Sequence, residues 1–243
     1  MEIEINNSFL SEKAQDYSKL SFLCYADWEN TPQGWKMCPL GANATDAEKK
    51  ERQEMDKYWG EMKTKGYTVV GFVEKPETGF SATIFQKDLK NILAIRGSED
   101  YYDYLADSAI LDYKVLPYAQ FQSLVDYIAS SGLSEFDVTG HSLGGLLAQV
   151  AKATFSGRVK DVYTFNALGA KDLQQFVYKG VDEQGNIKLE YPPVQGQTWP
   201  SFSFKWPPSV YAAYQAFFAN QQSSSIESHV YNVTGKVGIE FAA

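Results

Sequence analysis

The residues most able to do chemistry in this chain are Gly140-His141-Ser142-Leu143-Gly144-Gly145, between an apolar stretch and a helix-forming one. A Gly-x-Ser-x-Gly sequence between a strand and a helix is typical of a nucleophile elbow, a sharp turn that exposes a serine hydroxyl. A Cβ two residues to either side of the serine would collide with the backbone across that turn. This explains why glycine occupies positions 140 and 144. The motif predicts that Ser142 attacks a carbonyl carbon and that the Leu143 N–H stabilises the oxyanion. The alternative is a glycine-rich helix start that Ser142 caps.

A second segment, Ile95-Arg96-Gly97-Ser98, directly follows an apolar run that is typical of a central strand. A backbone N–H, or the hydroxyl, of a residue at this strand end would face the same oxyanion from the other side. We therefore expect Ser98 and Leu143 to form the oxyanion hole. Without the elbow, the segment would be an ordinary turn at the end of a strand.

The base that activates the serine is harder to assign, because the chain holds only two histidines. A serine hydroxyl needs a base within hydrogen-bond reach, usually a histidine that an acid orients. His141 lies inside the elbow and its side chain should point away from Ser142, so His229 is the candidate catalytic base. Yet His229 precedes a strand predicted at 230–233, and a parallel strand begins at the end of the sheet opposite to the site. It can act only if residues 171–228 bring the chain back over the sheet; otherwise it is a structural histidine.

These segments resemble the class 3 lipase family of the α/β-hydrolase superfamily. The resemblance covers roughly residues 67–176 and rests on the strand with Arg96-Gly97-Ser98, on 101–107, on the elbow at 140–145, and on Phe165-Asn166-Ala167-Leu168-Gly169 with Asp172 and Phe176 after it. It implies a serine hydrolase of ester lipids, with Ser142 as nucleophile and Leu143 and Ser98 as oxyanion donors. No metal or organic cofactor is implied.

The acid and the histidine that should accompany the serine do not follow the family's pattern in this chain. The family's acid follows the last strand, where this chain reads 234–240 without an aspartate. Glu240 and Asp172 are fallback acids, each more typical of a surface carboxylate. The chain stops where the family continues into its histidine, so three interpretations stay open. It is a hydrolase whose acid and histidine lie beyond residue 243, a hydrolase completed through His229, or a catalytically incomplete module that binds a lipid or a protein. An acyltransferase that excludes water fits the same motif.

The elements around these motifs change character along the chain. From residue 91 onward strands and helices alternate, which predicts a mostly parallel sheet flanked by helices, in a single α/β-hydrolase-like domain over 1–243. The predicted helices cover 11–25, 45–65, 117–131 and 143–156, and the predicted strands cover 67–74, 80–86, 92–95, 135–139, 162–165 and 230–233. The first two strands should form a hairpin, and the segment between the first two helices should be a loop.

The stretch at 171–228 interrupts this alternation with eleven aromatic residues and five of the nine prolines. One interpretation is a local core under a long connection. The other is a cap or lid over a pocket at the carboxyl ends of the strands, where it would suit an acyl chain. Its tryptophans, Trp199 and Trp206, would then make transient contact with a lipid interface.

Composition excludes several classes of partner. Twenty-two basic against thirty acidic residues give a net charge of −8, which argues against nucleic-acid binding. No apolar run approaches the roughly 18 residues of a membrane-spanning helix, so we expect no transmembrane segment. Acids at Glu2 and Glu4 argue against a Sec signal and leave a cytoplasmic protein or export by another route. Cys24 and Cys38 are expected as reduced thiols, and so few histidines and cysteines make a zinc site improbable.

Overall fold

The structure is a computed structural model that describes residues 11–97, 114–192, 203–223 and 229–233. Its helices are α1 (Glu12–Leu23), α2 (Asp46–Thr64), α3 (Tyr118–Ser130), α4 (Leu143–Thr154) and α5 (Pro208–Asn220). Its strands are β1 (Trp28–Thr31), β2 (Gly34–Met37), β3 (Thr68–Lys75), β4 (Phe80–Lys87), β5 (Lys90–Ile95), β6 (Phe136–His141), β7 (Val159–Phe165), β8 (Val177–Val181), β9 (Ile187–Glu190), β10 (Ser203–Trp206) and β11 (Val230–Val233). None of the helices in these ranges is long and apolar enough to cross a bilayer.

A six-stranded sheet in the order β11-β7-β6-β5-β4-β3 forms the centre of the molecule. Strands β5, β6, β7 and β11 run parallel to one another, and β4 and β3 join antiparallel as a hairpin. The predicted mostly parallel α/β sheet, flanked by helices, is thereby confirmed. Because parallel strands end at the same edge, the turns after β5 and β6 lie side by side, and both carry candidate site residues.

Side-chain alternation on the strands produces an apolar core on each face of the sheet. On β6, Phe136 and Val138 belong to the core that α3, α4 and α5 cover. The intervening Asp137 and Thr139 point to the other face, where both make hydrogen bonds to Tyr17 of α1. The last residue of β6, His141, shares that face and lies next to Tyr25, just beyond α1.

The first two helices begin where the sequence predicts. The Ser11 hydroxyl accepts a hydrogen bond from the Ala14 N–H, and Thr45 with Glu48 forms a complete capping box. Such caps satisfy backbone N–H groups that have no partner within the helix. Both cysteines are free thiols, as expected.

The predicted loop between these helices contains a hairpin instead. β1 and β2 pair antiparallel, with Thr31 opposite Gly34, so only two residues form the turn. Gly34 adopts a φ of +104°, which a tight turn requires and which glycine accommodates without strain. Burial of Trp28 against Trp59 of α2 holds the hairpin on the domain. The strands could not be recognised in the sequence because each is only four residues long and the segment contains proline and glycine, which are typical of loops.

The described part of the 171–228 insertion is an extension of the core. Its strands β8, β9 and β10 form a small antiparallel sheet, and its aromatic rings pack against α3. Phe204 stacks on Tyr118 at 4.5 Å between ring centroids, and Trp206 lies 5.4 Å from Phe121. Trp206 is fully buried, so the expectation that it contacts a lipid interface is wrong. Trp199 lies outside the described residues, and the cap stays a prediction.

Candidate active site

Ser142 joins β6 to α4 in a strained turn. Its φ of +52° and ψ of −123° are rare for a residue with a side chain and cost about 1–3 kcal/mol, so the surroundings must hold them. Ser142 N–H donates to the Phe165 carbonyl at 3.0 Å, and the Ser142 carbonyl accepts from Gly145 and Leu146. Its hydroxyl makes no capping bond to α4. The arrangement is that of an elbow and differs from a serine-capped helix start.

The elbow glycines are required by the close approach of neighbouring backbone. A Cβ on Gly140 would overlap the carbonyl group of Gly144, and a Cβ on Gly144 would overlap the carbonyl oxygen of Ile95. Neither glycine has a positive φ, so the requirement is for space. Gly145 also has no room for a side chain, since its Cβ would lie 2.5 Å from Cβ of Ala167. The Gly-x-Ser-x-Gly pattern does not include that third glycine, whose requirement arises from packing against Ala167.

The structure brings the turn after β5 into contact with the elbow. A Cβ on Gly97 would lie 2.8 Å from the His141 carbonyl oxygen and 3.6 Å from Cβ of Ser142. Leu143, the first residue of α4, occupies a position whose N–H has no partner inside the helix. Ser98 lies outside the described residues. Gly97 and Leu143 therefore both lie next to Ser142, and the oxyanion hole of Leu143 and Ser98 stays a prediction.

The side chain of His141 lies next to Tyr25, and in the described residues it makes no hydrogen bond to Ser142. Its Nδ1 lies 3.4 Å from the hydroxyl oxygen of Tyr25. Burial lowers the pKa of His141, which favours the neutral imidazole. In the described part of the chain, the Ser142 hydroxyl has no hydrogen-bond partner.

The structure does not bring His229 to Ser142. The register aligns His141 with Phe165 and Phe165 with Val233, so His229 lies four residues before the level of the elbow. Four residues of strand span about 13 Å. His229 is half-exposed at the opposite edge, where its Nδ1 lies 3.1 Å from an oxygen of Asp161. The pairing of His229 with Ser142 is therefore corrected, because a parallel strand begins at the edge away from the site.

Neither candidate acid pairs with a histidine in the part of the chain that the structure describes. Asp172 is exposed on the turn after β7, and Glu240 lies outside the described residues. Asp161, the residue that contacts His229, belongs to the opposite edge. Burial alone would raise the pKa of Asp161, but hydrogen bonds from Lys13 and His229 hold this pKa below its usual range. The Asp161 carboxylate thus stays ionised as part of a structural ion network.

That network is centred on Asp137, a fully buried carboxylate at the start of β6. It accepts a hydrogen bond from Tyr17 at 2.6 Å and lies 2.9 Å from Lys13 and 2.7 Å from Lys90. Asp161 shares Lys13. The network joins α1 to the sheet at the edge opposite to Ser142, so its role is to hold the fold.

Replacing Asp137 with asparagine is expected to lower the free energy of unfolding by about 2–4 kcal/mol, because Lys90 loses its carboxylate partner and Lys13 keeps only Asp161. Chemical denaturation measures the loss. Glu135→Gln is the control, since it removes an exposed pair with Lys160 and should cost less than about 0.5 kcal/mol. Equal stability of both variants would show that the buried network contributes nothing.

The model of a phospholipase-like family, described as the Tle-like phospholipase domain, matches residues 16–186, which include the elbow and the Gly97 turn. A solved lipase from Rhizopus microsporus var. chinensis is similar at 13% identity and a TM-score of 0.34, over 68% of this chain and 60% of that chain. No curated protein matches the chain. Because the family model covers more than half of its residues, this chain belongs to the Tle-like phospholipase domain family.

Proposed function

We propose that this protein is a carboxylic ester hydrolase of lipids that works through an acyl-enzyme at Ser142. The observation that supports this most is the strained elbow, whose Ser142 hydroxyl lies next to the Gly97 turn and has no hydrogen-bond partner among the described residues. The family supports the substrate class, since its description is phospholipase-like. Strain at a non-glycine residue persists only where surrounding contacts hold it, and such sites are frequently functional.

The proposed reaction has two steps. The Ser142 oxygen loses its proton to a base and forms a bond to the ester carbonyl carbon, while the oxyanion accepts hydrogen bonds from Leu143 and Ser98. Collapse of this intermediate breaks the ester C–O bond, and the alcohol leaves with a proton. Water then attacks the acyl-enzyme, which releases the fatty acid and restores Ser142.

The base in this reaction is not assigned to either histidine. His229 lies at the far edge of the sheet, and His141 faces Tyr25. An elbow with an oxyanion hole but without its base retains part of the catalysis, of the order of 10³–10⁴ over water in serine proteases. A small base that diffuses into the site should therefore accelerate the reaction.

The test is fatty-acid release from phosphatidylcholine vesicles, and from a short nitrophenyl ester in solution, with and without added imidazole. We expect release that depends on Ser142 and rises by at least about tenfold with imidazole, since a general base contributes 10²–10⁴-fold. Release that depends on Ser142 without any effect of imidazole would show a base already in place. Added methanol identifies the acyl-enzyme, because it diverts the acyl group into a methyl ester.

A second candidate function is binding without catalysis, by a module that holds a lipid in the same site. The observation that favours it is the position of His229, which leaves Ser142 without a histidine partner in the described residues. Vesicle binding with no product, with or without imidazole, would support this candidate and overturn the hydrolase.

A further inference from the structure

Tyr25 makes a contact with the site that neither the motif nor the family description assigns. It follows α1, and its hydroxyl oxygen lies 3.1 Å from the Gly97 nitrogen. The same oxygen lies 3.4 Å from Nδ1 of His141. One phenol group thus connects the turn after β5 with the last residue of β6, the two strand ends that flank the nucleophile.

The donors and acceptors define a direction for this connection. The Gly97 N–H can only donate, so the Tyr25 oxygen accepts from it. The Tyr25 hydroxyl is then able to donate to Nδ1 of His141, which accepts in the neutral imidazole that burial favours. The result is a chain of two hydrogen bonds, from Gly97 to Tyr25 and from Tyr25 to His141.

The space around Gly97 shows how close this chain lies to the nucleophile. A Cβ at Gly97 would overlap the Tyr25 hydroxyl oxygen and would contact Cβ of Ser142 at 3.6 Å. The Tyr25 hydroxyl oxygen and Cβ of Ser142 therefore both lie within 4 Å of the position that this Cβ would take. Because its N–H is bound to Tyr25, Gly97 cannot itself donate to an oxyanion, and the hydrogen bond instead fixes the peptide between Arg96 and Gly97, directly before the candidate donor Ser98.

We propose that Tyr25 is a positioning residue, whose hydroxyl holds the Gly97 turn against the elbow so that the oxyanion hole is formed before substrate binds. This proposal rests on the hydrolase function proposed above. Oxyanion donors lower the barrier only when they are held in place in advance, and a misplacement of about 1 Å can cost 10²-fold. The segment that follows α1 would then contribute to catalysis through its contact with the Gly97 turn.

The test compares Tyr25→Phe with Tyr17→Phe in steady-state hydrolysis of the short nitrophenyl ester. Tyr17 lies on α1, the helix that Tyr25 follows, and faces the same side of the sheet, but its hydroxyl donates to Asp137 at the opposite edge. We expect Tyr25→Phe to lower kcat by about 10- to 100-fold with KM within about twofold. Tyr17→Phe should lose at least as much stability, because its hydrogen bond is to a charged group, and keep its kcat within about twofold.

A second readout is hydrogen exchange at the Gly97 amide, which needs no turnover. We expect exchange at least about tenfold faster in Tyr25→Phe and unchanged in Tyr17→Phe, since only the first loses the partner of that N–H. Equal kcat in the two variants, or unchanged exchange in Tyr25→Phe, would overturn the proposal. Failure of the hydrolase function looks different, because wild type and Ser142→Ala would then be equally inactive.

Discussion

Replacing Ser142 with alanine is expected to reduce ester hydrolysis in the presence of imidazole by at least about tenfold, because the attacking oxygen that imidazole activates is lost while the rest of the site stays in place. The hydroxyl has no partner in the described residues, and alanine tolerates the same φ of +52° no worse than serine. The free energy of unfolding should therefore change by less than about 0.5 kcal/mol, which keeps Tm within about 2 °C. Initial rates and a thermal melt of the same preparation give both values.

Ser156→Ala is the matched control for this variant. Ser156 is exposed just beyond the other end of α4, so the variant removes a hydroxyl from the same helix region without touching the elbow. It should keep wild-type rates. Hydrolysis by Ser142→Ala at the rate of Ser156→Ala would mean that another group attacks the ester.

Replacing Gly144 with alanine is expected to lower the free energy of unfolding by about 3 kcal/mol or more, or to prevent folding. The added Cβ would overlap the carbonyl oxygen of Ile95 and approach the Arg96 carbonyl group at 2.8 Å. Both are backbone atoms of the central strand or of the turn after it, so relief requires α4 to move off β5. Denaturant titration of purified protein, or soluble yield where the variant does not fold, measures the effect.

Gly60→Ala is the control that separates this clash from the general effect of removing a glycine. Gly60 lies inside α2 with nothing within 4 Å of a Cβ, so alanine should raise stability by about 0.5–1 kcal/mol through helix propensity. Similar stability of Gly144→Ala and wild type would show that the elbow is looser than the structure describes.

The sheet and the elbow could be predicted from the sequence because their signals are local. Apolar runs such as 92–95 indicate buried strands, and the capping box at Thr45 indicates a helix start. The Gly-x-Ser-x-Gly pattern after β6 similarly indicates the turn at Ser142. In each case neighbouring residues carry the physical constraint, so a pattern along the chain is sufficient.

The contacts that complete the site could not be predicted in this way. Tyr25 reaches Gly97 across 72 positions of sequence, and no local pattern marks it. The sequence also does not distinguish a cap from a core at residues 171–228, because a segment of either kind would be rich in aromatic residues. Packing of Trp206 on Phe121 shows that the described part extends the core. The position of His229, by contrast, could be predicted from the direction of its strand. A histidine directly before a parallel strand lies at the edge opposite to the site, and the structure places His229 there.

Covalent labelling by a fluorophosphonate probe is the most direct test of the central claim, that Ser142 is the nucleophile. The probe forms an adduct only with an activated hydroxyl, and mass spectrometry of the digested protein locates it. We expect one adduct on the peptide that contains Ser142, formed faster with imidazole and absent from Ser142→Ala. A folded wild-type protein that remains unlabelled with and without imidazole, or an adduct on another residue, would contradict the account.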